Sequence, residues 1–312
     1  MFLKQVKEKI DQVTDELKKV IVGQDEVIKQ ILVAILCDSN VLLEGYPGLG
    51  KTTMIKTLSD LMDLRFSRIQ STPDLMPSDI TGTYVLEEEQ GKRAFKFHKG
   101  PLFANIVLVD EINRATPKTQ SALLEAMQER QVTIGNNTFR LEAPFFVLAT
   151  QNPIEQEGTY PLPEAQTDRF LLKINVRYPS FEEEEKIVDI YTSSQKKIEI
   201  RKIFDSSEIS IFQDYTREVP IARDLKKKVL KIIDKTRNYP NLIEYGASPR
   251  ASIGLIMASK AHALIEGRNY VSRKDIENLA YPVLRHRVIL NFEAERKGMT
   301  KDDAIKEIIK KS

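Results

Sequence analysis

Apolar side chains at Leu3, Val6, Ile10, Val13, Leu17 and Val20 recur at spacings of three and four, which predicts an amphipathic helix over 3–20 that stops at Gly23. Residues 25–37 repeat the pattern with more apolar positions and predict a second, more buried helix. The texture then changes. Val41–Glu44 is a short apolar strand that runs into a glycine-rich turn, and a helix follows from Lys51 to about Met62. Ile106–Val109 is a second strand, after the punctuation of Gly100-Pro101. Thr116 before Pro117 signals a helix start, because Thr suits the cap and Pro lacks an N–H that the first turn would leave unpaired anyway. Ala122, Leu123, Ala126 and Met127 share one face of that helix, and Phe145–Ala149 and Phe170–Val176 are two further strands. Strands alternating with helices predict an α/β layer arrangement around a parallel sheet.

Two segments break the rhythm. Tyr84–Leu86 and Phe95–Phe97 flank Glu88-Glu89-Gln90-Gly91, and Val132, Ile134, Phe139 and Leu141 alternate around Gly135-Asn136-Asn137. Both read as hairpins inserted into the α/β order. After Tyr178-Pro179-Ser180 the pattern becomes helical, over about 181–196, 221–237, 249–266, 273–292 and 300–310, with 197–220 less regular. The expectation is a nucleotide-binding core over 1–179 and a smaller all-helical domain over 180–312.

Composition narrows the function classes. With 47 Lys plus Arg against 45 Asp plus Glu, the net charge of +2 gives no global reason to expect nucleic acid or an anionic membrane as partner. The longest apolar stretch falls short of a bilayer span, and the N-terminus lacks a signal-peptide pattern, so the expected compartment is the cytoplasm. Cys37 is the single cysteine, expected to be a buried small hydrophobe. His98, His262 and His286 are far apart in sequence, which disfavours a zinc site.

The chemistry concentrates at Gly45-Tyr46-Pro47-Gly48-Leu49-Gly50-Lys51-Thr52, which fits G-x-x-x-x-G-K-[ST] in full and lies between a strand and a helix. The glycines let successive N–H groups turn toward phosphate oxygens, and the helix that follows presents its positive end to the same oxygens. Lys51 is expected to meet the β- and γ-phosphates of ATP, and Thr52 to offer its hydroxyl to Mg²⁺, with Thr53 closing the loop. The strand Ile106–Val109 ends in Asp110 and Glu111. Paired acids at a buried strand end suit a cation and a water: Asp110 in the Mg²⁺ shell, Glu111 orienting or deprotonating the attacking water. Phosphoryl transfer relies on positioning and charge neutralisation. Asn152 after one strand, Arg169 before another and Arg250 at a helix start are therefore further candidates.

From here the residues resemble the MoxR family of AAA+ ATPases. The likeness is carried by Arg68–Gly82, by Asp110–Ala115 with Pro117–Gln120, by Leu148–Pro153, by Pro161–Phe170 and by Gly246–Arg250, and it runs from about Gly23 to about Arg287. Many family members carry Ala where Gly50 stands, and Gly50 restores the common loop pattern. The resemblance implies that Asn152 is sensor 1, that Arg169 is a finger reaching a neighbouring subunit's γ-phosphate, and that Arg250 is sensor 2 on a helical lid. It implies that Val22-Gly23-Gln24 lies against the adenine. It further implies that the hairpins are the helix-2 insert and the pre-sensor-1 hairpin, and that the protein forms a hexameric ring. Clients would be proteins, with a von Willebrand factor A domain protein as a companion chain.

Two other functions remain open at this level. A nucleic-acid motor is one, since Lys92, Arg93, Lys96 and Lys99 cluster on the first hairpin, although Glu87, Glu88 and Glu89 offset them and no basic groove with interleaved aromatics is present. A nucleotide-gated scaffold is the other, disfavoured because a pure binder has no use for Glu111, Asn152 and Arg169.

Overall fold

In a computed structural model of the chain, residues 2–89, 92–153, 158–192 and 200–312 are described. In chain order the elements of the first part are α1 (Phe2–Lys18), α2 (Asp25–Leu36), β1 (Val41–Glu44), α3 (Lys51–Leu61), β2 (Phe66–Gln70), α4 (Pro77–Thr81), β3 (Gly82–Glu89), β4 (Lys92–Lys99), β5 (Ile106–Asp110), α5 (Pro117–Glu129), β6 (Gln131–Ile134), β7 (Asn137–Arg140), β8 (Phe146–Gln151), α6 (Glu164–Thr167) and β9 (Leu172–Asn175). The rest follows as α7 (Phe181–Thr192), α8 (Ser206–Glu218), α9 (Arg223–Arg237), β10 (Ile243–Tyr245), α10 (Pro249–Ile265), α11 (Arg273–Leu284), β11 (Ile289–Leu290), α12 (Phe292–Arg296) and α13 (Lys301–Lys310).

Five strands pair in parallel in the order β2-β5-β8-β1-β9. Successive residues of a strand face opposite sides, and here each side has its own core. Val41, Leu43, Ile106, Leu108, Phe146 and Leu148 join α1–α3, whereas Leu42, Val107, Val109, Val147 and Ala149 join α5. That double coverage is why these strands read as unbroken apolar runs.

β2 was not among the expected strands. Only Ile69 of Phe66–Gln70 is buried, because the strand lies at the sheet edge, and so it carries no apolar run. The hairpins form as β3–β4 and β6–β7, although Gln90 and Gly91 lie outside the described residues. They lean on each other: the Phe97 and Phe139 rings stack at 4.4 Å, and Asn137 donates a hydrogen bond to the Tyr84 hydroxyl at 2.7 Å. Such a ring pair adds about 0.5–1.5 kcal/mol beyond its buried area.

The C-terminal region is helical with amendments. The stretch read as irregular holds α8, capped by Asp205, whose buried face of Ile209, Phe212, Gln213 and Thr216 is half polar and so hides its period. The helix expected over 273–292 stops at Leu284, two residues after the internal Pro282, which cannot donate a ladder hydrogen bond. The chain then turns, and Ile289–Leu290 pairs with Ile243–Tyr245, so the region is not all-helical. The helix expected over 181–196 is seen to Thr192, and its last residues lie outside the described ones. One apolar core continues from α1–α3 through the buried α10 into α11 and α13. Cys37 is partly buried against that core, and burial, followed by the neighbouring Asp38 carboxylate, pushes its thiol well up. Among the described residues no helix is long and apolar enough to cross a membrane.

Candidate active site

The C-terminal ends of four strands meet one cavity of about 370 Å³, lined by Gly45, Pro47, Gly48, Leu49, Gly50, Lys51, Thr52, Thr53, Arg68, Gln70, Asp110, Glu111, Thr150, Gln151 and Asn152. The register explains the gathering, since Glu44 pairs with Gln151 and Gln70 with Asp110. Gly48 and Gly50 sit at φ +82° and +71°, the left-handed region that costs a side-chain-bearing residue about 1–2 kcal/mol. No side chain caps α3 at Gly50, so its first N–H groups stay available to an anion. Lys51 donates to the carbonyls of Gly45 at 2.6 Å and Tyr46 at 2.9 Å, which holds its ammonium over the loop. Burial draws the Lys51 pKa below the ordinary lysine range, and Asp110 and Glu111 pull it back up.

Asp110 is nearly buried. Its Oδ1 accepts from the Thr150 hydroxyl at 3.3 Å, and its Oδ2 accepts from Arg68 Nε at 2.6 Å. Glu111 holds φ at +54°, and its N–H donates to Thr150 Oγ1 at 2.9 Å, which turns its side chain out of the strand direction. Its Oε2 accepts from Arg114 at 3.1 Å and from Gln70 at 3.4 Å. The Thr52 hydroxyl and the Asp110 carboxylate line the same cavity, and two hard oxygen donors beside a phosphate cradle fit Mg²⁺. The cradle, the uncapped helix end and the loop lysine fit the phosphates of a nucleotide.

A second cavity of about 360 Å³ shares the wall Gly48, Leu49, Gly50 and Thr53, and is closed by Val20, Ile21, Val22, Gln24, Pro179, Ile187 and Tyr191. Its apolar lining suits a nucleobase. Val22 and Gln24 line this cavity, and Gln24 is anchored by its bond to the Arg177 carbonyl at 3.1 Å. Gly23 lines a neighbouring hollow with Lys18 and Glu183 instead. Tyr46 does not line the phosphate cavity; its ring stacks on Tyr178 at 4.8 Å.

Arg169 and Arg250 do not line the phosphate cavity. They line a third hollow of about 380 Å³, with Asn40, Met127, Asp168, Leu171, Arg217 and Arg287 among its walls. Asn40 and Leu171 precede β1 and β9, so this hollow lies at the N-terminal edge of the sheet. A strand of four residues separates the edges by roughly 13 Å. Arg250, which the resemblance implied to be sensor 2 on a helical lid, thus stands beside Asp168 and not at the phosphate cavity of the same chain. Arg169 is exposed, with a hydrogen bond to the Leu124 carbonyl at 3.3 Å. Asp168 binds the neighbours together: it accepts from Ser248 at 2.8 Å and Arg287 Nε at 2.7 Å, and Arg250 lies 3.6 Å away. Asn40 anchors the start of β1, accepting from the Val147 N–H at 2.9 Å while its carbonyl accepts from the Leu171 N–H at 2.9 Å.

Sequence reasoning gave no role to the polar Arg68, Gln70, Thr150 and Gln151 at the phosphates, nor to Ile187 and Tyr191 among the walls of the second cavity. Ligands in open parallel sheets bind beyond the C-terminal strand ends, a rule that would have pointed to Gln70 and Thr150 once β2 was assigned.

With this geometry in view, comparison with known proteins is informative. Residues 40–172 match the ATPase family associated with various cellular activities (AAA), and residues 240–308 match the AAA lid domain. The chain is 46% identical over 287 residues to Chaperone MoxR1 of Mycobacterium tuberculosis, covering 89% of this chain and 75% of that one. It is 42% identical over 295 residues to the uncharacterised protein YeaC of Bacillus subtilis, covering 95% and 91%. A crystal structure of a candidate ATPase from Cytophaga hutchinsonii superposes with a TM-score of 0.92 at 44% identity, covering 99% and 96%.

Proposed function

The chain belongs to the MoxR family of AAA+ ATPases, and from that premise we propose that it hydrolyses ATP with Mg²⁺ at sites completed between neighbouring subunits of a ring, to remodel protein clients. One observation carries the reading. The phosphate cradle with Asp110, Glu111 and Asn152 lies at one edge of the sheet, while the two arginines expected at a γ-phosphate lie at the other. An arginine cannot reach across roughly 13 Å of sheet to its own loop, so Arg169 and Arg250 act on a neighbour's nucleotide.

The roles follow the chemistry of each group. Lys51 leaves the carbonyls of Gly45 and Tyr46 for the phosphate oxygens. Thr52 and Asp110 hold the metal, which when bound neutralises phosphate charge and orients the reacting oxygens. Glu111, aimed by Thr150, takes the proton of the attacking water, and Asn152 fixes that water. The apolar cavity beside Leu49 and Tyr191 receives the base. A core ending near residue 179 and a lid beyond it belong to the same proposal, as do six subunits, a companion with a von Willebrand factor A domain and a cytoplasmic setting.

The nucleic-acid motor is not favoured. Arg93 pairs with Glu88, and Lys96 and His98 pair with Glu87, so these three basic side chains of the hairpin are matched by its own acids. The test is turnover against concentration. Purified protein should need Mg²⁺ and gain activity per subunit as it assembles. Mixing Arg169→Ala subunits with Lys51→Ala subunits should restore part of the activity that each has lost, and no restoration would sink the shared site.

A further inference from the structure

Arg68 and Gln70 sit two residues apart on the edge strand β2, so their side chains leave the same face and both reach the phosphate cavity. Arg68 Nε holds Asp110 Oδ2 at 2.6 Å, and its Nη2 donates to Gln70 Oε1 at 3.0 Å. The Gln70 amide in turn donates to Glu111 Oε2 at 3.4 Å. The two oxygens of Asp110 are thus unequally held. Oδ1 belongs to buried Thr150, whereas Oδ2 belongs to an arginine whose side chain is 49% exposed, against 10% for Asp110 itself. A guanidinium on that oxygen and a divalent cation in the same first layer repel each other, and a carboxylate oxygen turned toward the cavity cannot serve both.

We propose that Arg68 is the resident counter-cation of Asp110, which the metal–nucleotide complex displaces on binding. The inference rests on the reading of this cavity as a metal–nucleotide site. Arg68 neutralises Asp110 and Arg114 neutralises Glu111, so neither acid faces the other uncompensated. The exchange is inexpensive because the arginine moves into water rather than into protein. It also carries information. When Arg68 leaves, Gln70 loses the partner of its carbonyl, and its grip on Glu111 is free to change. Arrival of the metal is then coupled to the Gln70 contact on Glu111, while Arg114 keeps its own hold on that carboxylate.

The test is a titration of Mn²⁺, as a paramagnetic probe of the metal site, at saturating ADP, read by electron paramagnetic resonance on the full chain. Arg68→Gln should bind Mn²⁺ about two- to fivefold tighter than the wild type, since the competing ion pair is gone. Arg68→Lys, which keeps the charge, should stay near the wild type. ADP binding measured in EDTA should not change in either variant. Unchanged or weaker Mn²⁺ binding in Arg68→Gln would overturn the exchange and leave Arg68 as a support for Asp110. Loss of ADP binding in EDTA would overturn it in favour of a phosphate contact. A wild type that binds no Mn²⁺ at saturating ADP would remove the underlying metal–nucleotide reading, and the exchange with it.

Discussion

At the C-terminal edge of the sheet Asp110 holds Arg68, and at the N-terminal edge Asp168 holds Arg287, in contacts of 2.6 Å and 2.7 Å. The surroundings differ. Arg287 is 3% exposed and spends its remaining donors on the carbonyls of Asp168, Phe170, Leu171 and Val283. Burial lowers its pKa, and the Asp168 carboxylate pulls it back. Arg68 contacts only side chains and stands half in water. An arginine knitted to main-chain carbonyls is scaffold, whereas one held by movable side chains is available for exchange. The Asp168 cluster gathers Ser248, Arg250 and Arg287 beside Arg169, and the Asp110 cluster leaves room for an incoming charge.

The comparison can be broken in order of effect. Arg169→Ala should lower ATP turnover by roughly 10³–10⁵ while leaving nucleotide binding intact. A loss below tenfold would mean that the outward arginine is not catalytic. Glu111→Gln should lower turnover by about 10²–10⁴ and retain bound ATP, visible as a nucleotide that co-purifies through gel filtration. Arg287→Met should cost about 3–5 kcal/mol in urea unfolding, because the Asp168 carboxylate and four carbonyls lose their donors. Arg68→Met should cost about 0.5 kcal/mol or less, as a half-exposed pair contributes little. Equal costs for the two arginines would erase the distinction drawn here.

The smallest expected effect concerns acid. Asp275 of α11 is fully buried and accepts from Arg268, His262 and Ser272. Burial alone would raise its pKa, but the bonds from His262, Arg268 and Ser272 outweigh it and hold the carboxyl well below the usual range. A depressed carboxyl stabilises the fold above the ordinary pKa of about 3.9. That stability is lost as pH falls from there toward the folded-state value. The urea midpoint should therefore drop below about pH 4 in the wild type, and Asp275→Asn should start lower and flatten the drop.

What was legible in the sequence is what burial writes in apolar letters. β1, β5, β8 and β9, the loop and the acids at Asp110 and Glu111 stand out because apolar runs and glycines admit few readings. β2 and α8 do not, since one is an exposed edge and the other packs Gln213 and Thr216 among its buried residues. Arg68 and Thr150 were invisible for a related reason: their partners come from other strands, and register is not written in either segment. The edge on which Arg250 stands was not legible either, because a motif names a residue without saying which side of the sheet its helix covers.

β1 is four residues long, paired on both sides along its whole length, and tied at its entrance by Asn40. Its entrance opens into the arginine hollow and its exit becomes the phosphate loop. A strand clamped in this way neither stretches nor bends, so its two ends share one displacement. In the proposed ring, a push at the arginine hollow would arrive at the loop as an axial shift of β1.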